Sequence, residues 1–338
     1  GVIMALIGQT LPSLLDVYSR TDKNGRIAKI VEQLAKSNDV ITDAIYVPCN
    51  DGSKHKTTIR AGIPEPVWRR YNQGVQPTKT QTVPVTDTTG MLYDLGFVDK
   101  DLADRSGNAD SFRVSENMGK LQGFNNKVSR YTFYGNTDAE PEAFMGLAPR
   151  FNTLSTSKAA SAENVFSAGG AGSTNTSIWF MSWGENTAHM IYPEGMVAGF
   201  QHQDLGNDLV SDANGGQFLA YRDEFKWHLG LSVRDWRSIS RICNIDVTTL
   251  TKDAATGADL ISMMVDAYYA RDVAMLGDGK EVIYCNKTIH AWLHKQAMNA
   301  KNVNLTIDEY AGKKIVSFLG IPIRRADAIL NTESAVTA

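Results

Sequence analysis

The chain has 338 residues, 43% hydrophobic and 21% charged, with a net charge of −3. That length supports one large or two medium domains with a sizeable core, and the composition is that of a globular protein. The mild acidity argues against a general nucleic-acid binder, which would be basic.

No run of 18 apolar residues is present, so no helical membrane span is expected. Cys49, Cys243 and Cys285 lack CxxC spacing. So sparse and odd a set predicts a reducing compartment and no disulfide framework.

Residues 1–43 read as an arm followed by a helix. Ile27, Ile30, Val31 and Leu34 fall at helical spacing, and Thr21-Asp22 could cap them.

Next comes a stretch of unusual composition. Ala44 to Gly90 spans 47 residues without Leu, Met or Phe, and holds five prolines and eight threonines. Runs such as Thr80-Gln81-Thr82-Val83-Pro84-Val85 suit extended strands at a sheet edge. With about 20 residues extended on each side, a hairpin here would reach about 65 Å at roughly 3.3 Å per residue. So long a hairpin has unpaired edges and is marginal alone, so it must lie on something. The rest of the chain shows no obvious cover, and the simplest partner is another copy. Charge agrees with docking between copies. The stretch carries six Lys/Arg (Lys54, Lys56, Arg60, Arg69, Arg70, Lys79) against three acids, a net +3, which leaves −6 for the remainder.

A helix is expected from Ser111 to Tyr134, with Asp110 or Ser111 as cap and Val114, Met118, Leu121, Val128 and Tyr131 on one face. Gly119 and Gly123 predict a bend or one close contact within it. Gly135-Asn136 ends it. A loop follows to Arg150, and Ser155 to Ser177 reads as a surface excursion. Strands are expected at Ser177–Trp183 and Ala188–Tyr192, and the Asp204–Asp212 region as a Gly/Asn-rich loop. Phe225, Trp227, Leu229, Leu231 and Val233 alternate with polar or small residues, the mark of a half-buried strand. A bulge at Asp235-Trp236 precedes its continuation to Ile245. A buried helix (259–275), a strand (281–284), a helix capped by Asn286 (288–298) and two short strands (315–318 and 321–324) complete the pattern. Pro322 suggests an edge position for the last strand. The mixed order predicts an α+β fold.

The chemical motifs are weak. His290 and His294 share a helix face, but HExxH is absent. Gly169 to Ser173 lacks the GK[ST] of a phosphate loop. Asp204, Asp208 and Asp212 lack EF-hand spacing. GxSxG and SxxK contexts are missing. Trp68, Trp227, Trp236 and Trp292 read as core or subunit-contact anchors. No catalytic residue, cofactor or metal is expected.

In order, the features are an N-terminal arm, a Pro/Thr-rich hairpin and a glycine-containing helix ending Phe133-Tyr134-Gly135-Asn136. Then come Phe144-Met145-Gly146-Leu147, a mixed domain, and Phe318-Leu319-Gly320-Ile321-Pro322-Ile323-Arg324. Together these resemble the major capsid protein of tailed double-stranded DNA bacteriophages, the Hong-Kong-97-like fold. The wording is especially close to the epsilon-fifteen type of short-tailed phages. The resemblance covers the chain from Met4 onward.

It implies a virion shell protein, assembled in the host bacterial cytoplasm as hexamers and pentamers that close an icosahedron around DNA without sequence-specific binding. The arm and helix would occupy 1–43, the extension loop 44–98, and the peripheral domain with its spine helix 99–150. The axial domain would take 151–311, with 218–246 returning to the peripheral sheet, and C-terminal peripheral strands 312–338. Lys54, Lys56, Arg60, Trp68, Arg69, Arg70 and Lys79 on the loop would contact the adjacent subunit. A separate scaffolding protein, a portal protein and a cement or decoration protein are the other implied partners. Non-covalent locking is expected, since no Lys–Asn cross-linking pair suggests itself. An encapsulin-like compartment shell and a metal-dependent hydrolase using His290 and His294 are the rival readings.

Overall fold

A computed structural model of the chain describes residues 39–62, 64–105, 107–211, 215–250, 260–271, 279–297, 305–310 and 313–338. The helix expected around Ile27 to Leu34 lies outside them. The first elements are α1 (Val40–Asp43), β1 (Tyr46–Pro48), β2 (Lys54–Gly62), β3 (Gln81–Thr88), β4 (Gly90–Asp99), α2 (Lys100–Arg105) and α3 (Ala109–Tyr134). Then follow β5 (Val165–Ser167), β6 (Asn175–Trp183), β7 (Ala188–Tyr192), β8 (Phe200–Ser211), β9 (Gln217–Val233) and β10 (Ser240–Asp246). The chain closes with α4 (Leu260–Tyr269), β11 (Lys280–Cys285), α5 (Lys287–Ala297), β12 (Leu305–Tyr310), β13 (Lys313–Phe318) and β14 (Ile321–Arg325). Helices and mixed-sense strands together make the fold α+β. The described residues fall into two compact units: a smaller one within 91–128 and 199–228, and a larger one within 39–90, 129–198 and 229–338.

The larger unit is organised on β6. Its apolar run Ile178-Trp179-Phe180-Met181 is buried along with every other residue of the strand, so both faces are covered. It pairs antiparallel with β10 and with β11, and β11 pairs parallel with β14. Helices α4 and α5 contribute Leu260, Met264, Ile289 and Leu293 to a core with Ile178, Phe180, Ile283 and Phe318. Each such side chain stabilises the fold by about 1.5–3 kcal/mol when buried. Asn286 caps α5 as expected, its Oδ1 accepting from Ile289 N at 2.9 Å. The C-terminal tail is tied into this unit by a buried ion pair, Arg241 Nη2 to Glu333 Oε2 at 2.8 Å. Ser177 and Tyr134 hydroxyls also donate to Glu333.

In the smaller unit β8 and β9 form a long antiparallel ladder. The expected Gly/Asn-rich loop at 204–211 is therefore strand. Gly206, at φ +74°, takes up a register shift that the polar composition disguised. Asp223 is buried beneath α3, with Arg113 Nη2 at 3.0 Å and His202 Nε2 at 2.8 Å from its Oδ1. Phe200 gathers Phe124, Phe225 and Trp227 around it.

Several expectations need correction. Asn108, not Asp110 or Ser111, caps α3, accepting from Ser111 N at 3.1 Å. The buried side of α3 is Phe112, Phe124 and Val128, whereas Val114, Met118 and Leu121 are exposed. Polar ties such as Lys120 Nζ to Asp94 at 2.7 Å hold part of the inner face, so apolar periodicity picked the wrong side at Val114, Met118 and Leu121 and the right one at Val128. Gly119 and Gly123 have open space where a Cβ would sit, so no close contact requires them. The Ser155–Ser177 excursion contains β5 and the start of β6, with Ala162, Asn164 and Val165 buried. At Trp236 a 3-10 turn capped by Asp235 replaces the expected bulge, and β10 then pairs with β5 and β6. Pro322 is not at an edge, because β14 lies between β13 and β11. It sits one residue into the strand, opposite Ser317, where the missing N–H costs least.

Removing Glu333 would leave Arg241 charged and buried without its partner. Glu333→Ala is expected to destabilise the unassembled chain by about 3–5 kcal/mol. A shift in the urea midpoint of the larger unit checks this, and a loss below about 1 kcal/mol would contradict it.

Candidate assembly arm

Strands β2 and β3 form a hairpin paired from Lys54↔Thr88 to Arg60↔Thr82, with a register shift before Gly62↔Gln81. The ladder is shorter than expected, nine and eight residues instead of about 20 a side. Pro64 and Pro66 on one side and Pro77 on the other offer no N–H, so pairing stops there. Residues 64–80 hold no strand. Their one reversal is a turn in which Gln73 N donates to Arg70 O at 3.3 Å, with Asn72 at φ +63°. Asn tolerates that left-handed conformation better than most residues.

Among the described residues nothing covers the tip. Trp68 is 104% and Tyr71 99% exposed, as open as in a free peptide. Val67 and Val75 are exposed beside them. Arg69, Arg70 and Lys79 are exposed too, so the tip presents aromatic and cationic groups together. Lys54 and Lys56 lie nearer the root, and Lys56 is ion-paired with Asp51. The side chain of Arg60 lies outside the described residues. Tyr71 and Val75 escaped the sequence reading, although their position around Asn72 and Gly74 is a turn signal.

The root is held by its own subunit, contrary to the expectation of no cover. His55, Thr57 and Asp87 alternate inward and are buried, while Lys54, Lys56 and Thr58 point out. Arg150 donates to Asp87 Oδ1 at 2.7 Å and also to the carbonyls of Gly146 and Leu231 at 3.3 Å. Gly230 makes the close fit possible. A Cβ there would meet Thr88 O at 2.6 Å and Thr89 Cα at 3.1 Å. Cys49 is buried next to the hairpin, and burial, then the Asp87 charge, push its thiol up to about 11. The rings of His55 and His189 meet edge to face with centroids 5.2 Å apart. Burial lowers both, His189 to about 4, with neighbouring His55 a further cause there.

Elsewhere the sequence candidates do not converge on chemistry. His290 and His294 are half-buried on α5, with burial and then His294 lowering His290. Trp227 and Trp292 are core residues and Trp236 is half-buried. Among the described residues no three His, Cys, Asp or Glu are grouped to hold a metal.

A family model described as major capsid protein GP7 matches residues 22–337. A solved structure of bacteriophage Epsilon15 contains a chain 90% identical over 99% of this chain and 100% of that one, at a TM-score of 0.75. The capsid of bacteriophage JBD30 is 9% identical, over 88% of this chain and 93% of that one, at 0.45. The holo-SrpI encapsulin complex from Synechococcus elongatus PCC 7942 is 8% identical, over 70% and 97%, at 0.46. Scores this low carry no weight for function. No curated protein matches the chain.

Because Asp87 is buried and Arg150 is its cation, Arg150→Ala should loosen the root before it unfolds the body. Protection of the Lys54–Thr57 and Val85–Thr88 amides is expected to fall about 100-fold, the equivalent of about 3 kcal/mol. Hydrogen exchange by mass spectrometry reads this, and unchanged root protection would refute it.

Proposed function

The chain belongs to the family of the major capsid protein GP7, and from that premise we propose that the hairpin tip, residues 64–80, is the element by which each subunit grips its neighbour. The protein itself is a structural component of a phage virion, not an enzyme, and copies of it associate into an icosahedral shell. Family membership, with a 90% identical chain in bacteriophage Epsilon15, favours a phage shell over an encapsulin-like compartment or a hydrolase.

The observation that carries the proposal is the exposure of Trp68 and Tyr71 on a segment without strand pairing, which none of the described residues covers. Burying each against a second copy would contribute about 1.5–3 kcal/mol. Trp, Tyr and Arg are the residue types that dominate interface energies. Arg69, Arg70 and Lys79 give the tip a charge opposite to that of the remaining chain, which favours docking and fixes register. Lys54, Lys56 and Arg60 extend the same charge toward the root.

Hexamers and pentamers are the arrangement in which such arms would chain neighbours together. A separate scaffolding protein, a portal and a cement protein, with assembly in the host cytoplasm, complete the proposed scheme. The domain reading is proposed in the same way: 44–98 as extension loop, 99–150 with α3 as spine helix, 151–311 as axial domain, and 312–338 as peripheral strands. An acidic remainder would not grip packaged DNA, since tight binding requires phosphate neutralisation.

Arg69→Glu with Arg70→Glu should leave a folded subunit, because both side chains are exposed, yet reduce closed shells severely. Sedimentation and electron microscopy check this. Normal shell yield would overturn the docking role.

A further inference from the structure

Among the described residues, four buried polar atoms at the hairpin root have no hydrogen-bond partner: His55 Nδ1, Thr57 Oγ1, Asp87 Oδ2 and His189 Nε2. They come from β2, β3 and β7, the strands that meet where the hairpin joins its body. His55 stands opposite Asp87 in the β2–β3 register, and its ring edge meets His189 of β7. His189 is 1% and His55 9% exposed. Leaving such groups unpaired is costly, and a buried pair of imidazoles is tolerable only while both are neutral.

The charges facing the pair decide what protonation would do. Among the described residues Asp87 is the one carboxylate whose charge bears on both rings, and Arg150 already holds it through Oδ1. Arg234 adds a second positive charge acting on both rings. Lys54 and Lys56 flank His55 but point to solvent, and Asp51 is taken up by Lys56. Cys49 nearby is a neutral thiol. The Gly184 carbonyl lies 3.3 Å from His189 Nδ1 and can accept from it in either charge state. A proton on each ring would therefore set two imidazoliums and two guanidiniums against a single carboxylate.

We propose that the His55–His189 pair is an acid-sensitive latch, in which two neutral imidazoles seat the hairpin root against β7 and their protonation unseats it. The latch lies within one subunit, so it stands or falls independently of where the tip docks. The sign follows from the two states. Both histidines are lowered in the closed root, so its stability is complete above the ordinary histidine value of 6.5 and is lost as pH falls toward about 4. For His189 alone, the opening constant at pH 5 is expected to exceed that at pH 7 by about 20-fold. The two rings are close enough to titrate as a pair.

Hydrogen exchange of the full-length unassembled subunit at pH 7 and pH 5, corrected for intrinsic rates, tests this. The root amides of β2 and β3 should lose about 20-fold in protection at pH 5, while β6 and β11 amides keep theirs. The double variant His55→Gln, His189→Gln should show no such difference. A pH-insensitive wild-type root, or an equal loss in the variant, would overturn the latch. Should the variant not fold, histidine C2–H exchange on the wild-type chain decides alone. Titration of His189 below pH 5 supports the latch, and titration near 6.5 refutes it.

Discussion

A hairpin with almost no apolar interior stays attached to its subunit through the side chain of Arg150. Its guanidinium reaches Asp87 on β3 and the carbonyls of Gly146 and Leu231 at once, so three segments of the larger unit meet at one cation. Gly230 lets the backbone of Thr88 and Thr89 come close enough for that meeting. Everything about the arm follows from this fixed root. One end is placed by a buried ion pair, and the other, beyond Pro64, has neither ladder nor core. Such an element cannot satisfy itself, and a second copy can cover it.

The rest of the larger unit provides the stiffness against which the arm can act. β6 is covered on both faces, aromatic rings of Phe133, Phe151, Trp179 and Tyr284 meet beside it, and Glu333 locks the C-terminal tail onto Arg241. Asp43 extends the same logic toward the start of the hairpin, accepting from Tyr284 and Lys280. The subunit thus combines a body rigidified by buried polar pairs with an arm fixed at one end. That division suits the proposed docking, in which one part of the subunit reaches a neighbour while the other keeps its shape.

Much of this was legible in the sequence. Proline and threonine without Leu, Met or Phe marked the arm, and strict alternation marked β9. What failed has identifiable causes. The apolar stripe Val114-Met118-Leu121 pointed α3 the wrong way, because part of its inner face is held by Lys120 and Arg113 through ion pairs that hydropathy does not register. The ladder of β8 was hidden by its Asp, Asn and Gly content. The root was read as uncovered because its buried residues, His55, Thr57 and Asp87, are polar types normally found outside. Arg150, 63 residues from Asp87, carries no local signature at all. The family, by contrast, could be read from the order of weak motifs that no single one would have established.

The most direct test of the central claim places a photo-cross-linking residue at position 68 and irradiates assembled shells. The account predicts bands of two or more linked subunits, with the cross-link mapping to a different copy from the one that bears it. Cross-links confined to the same chain, or none above the unassembled control, would contradict it.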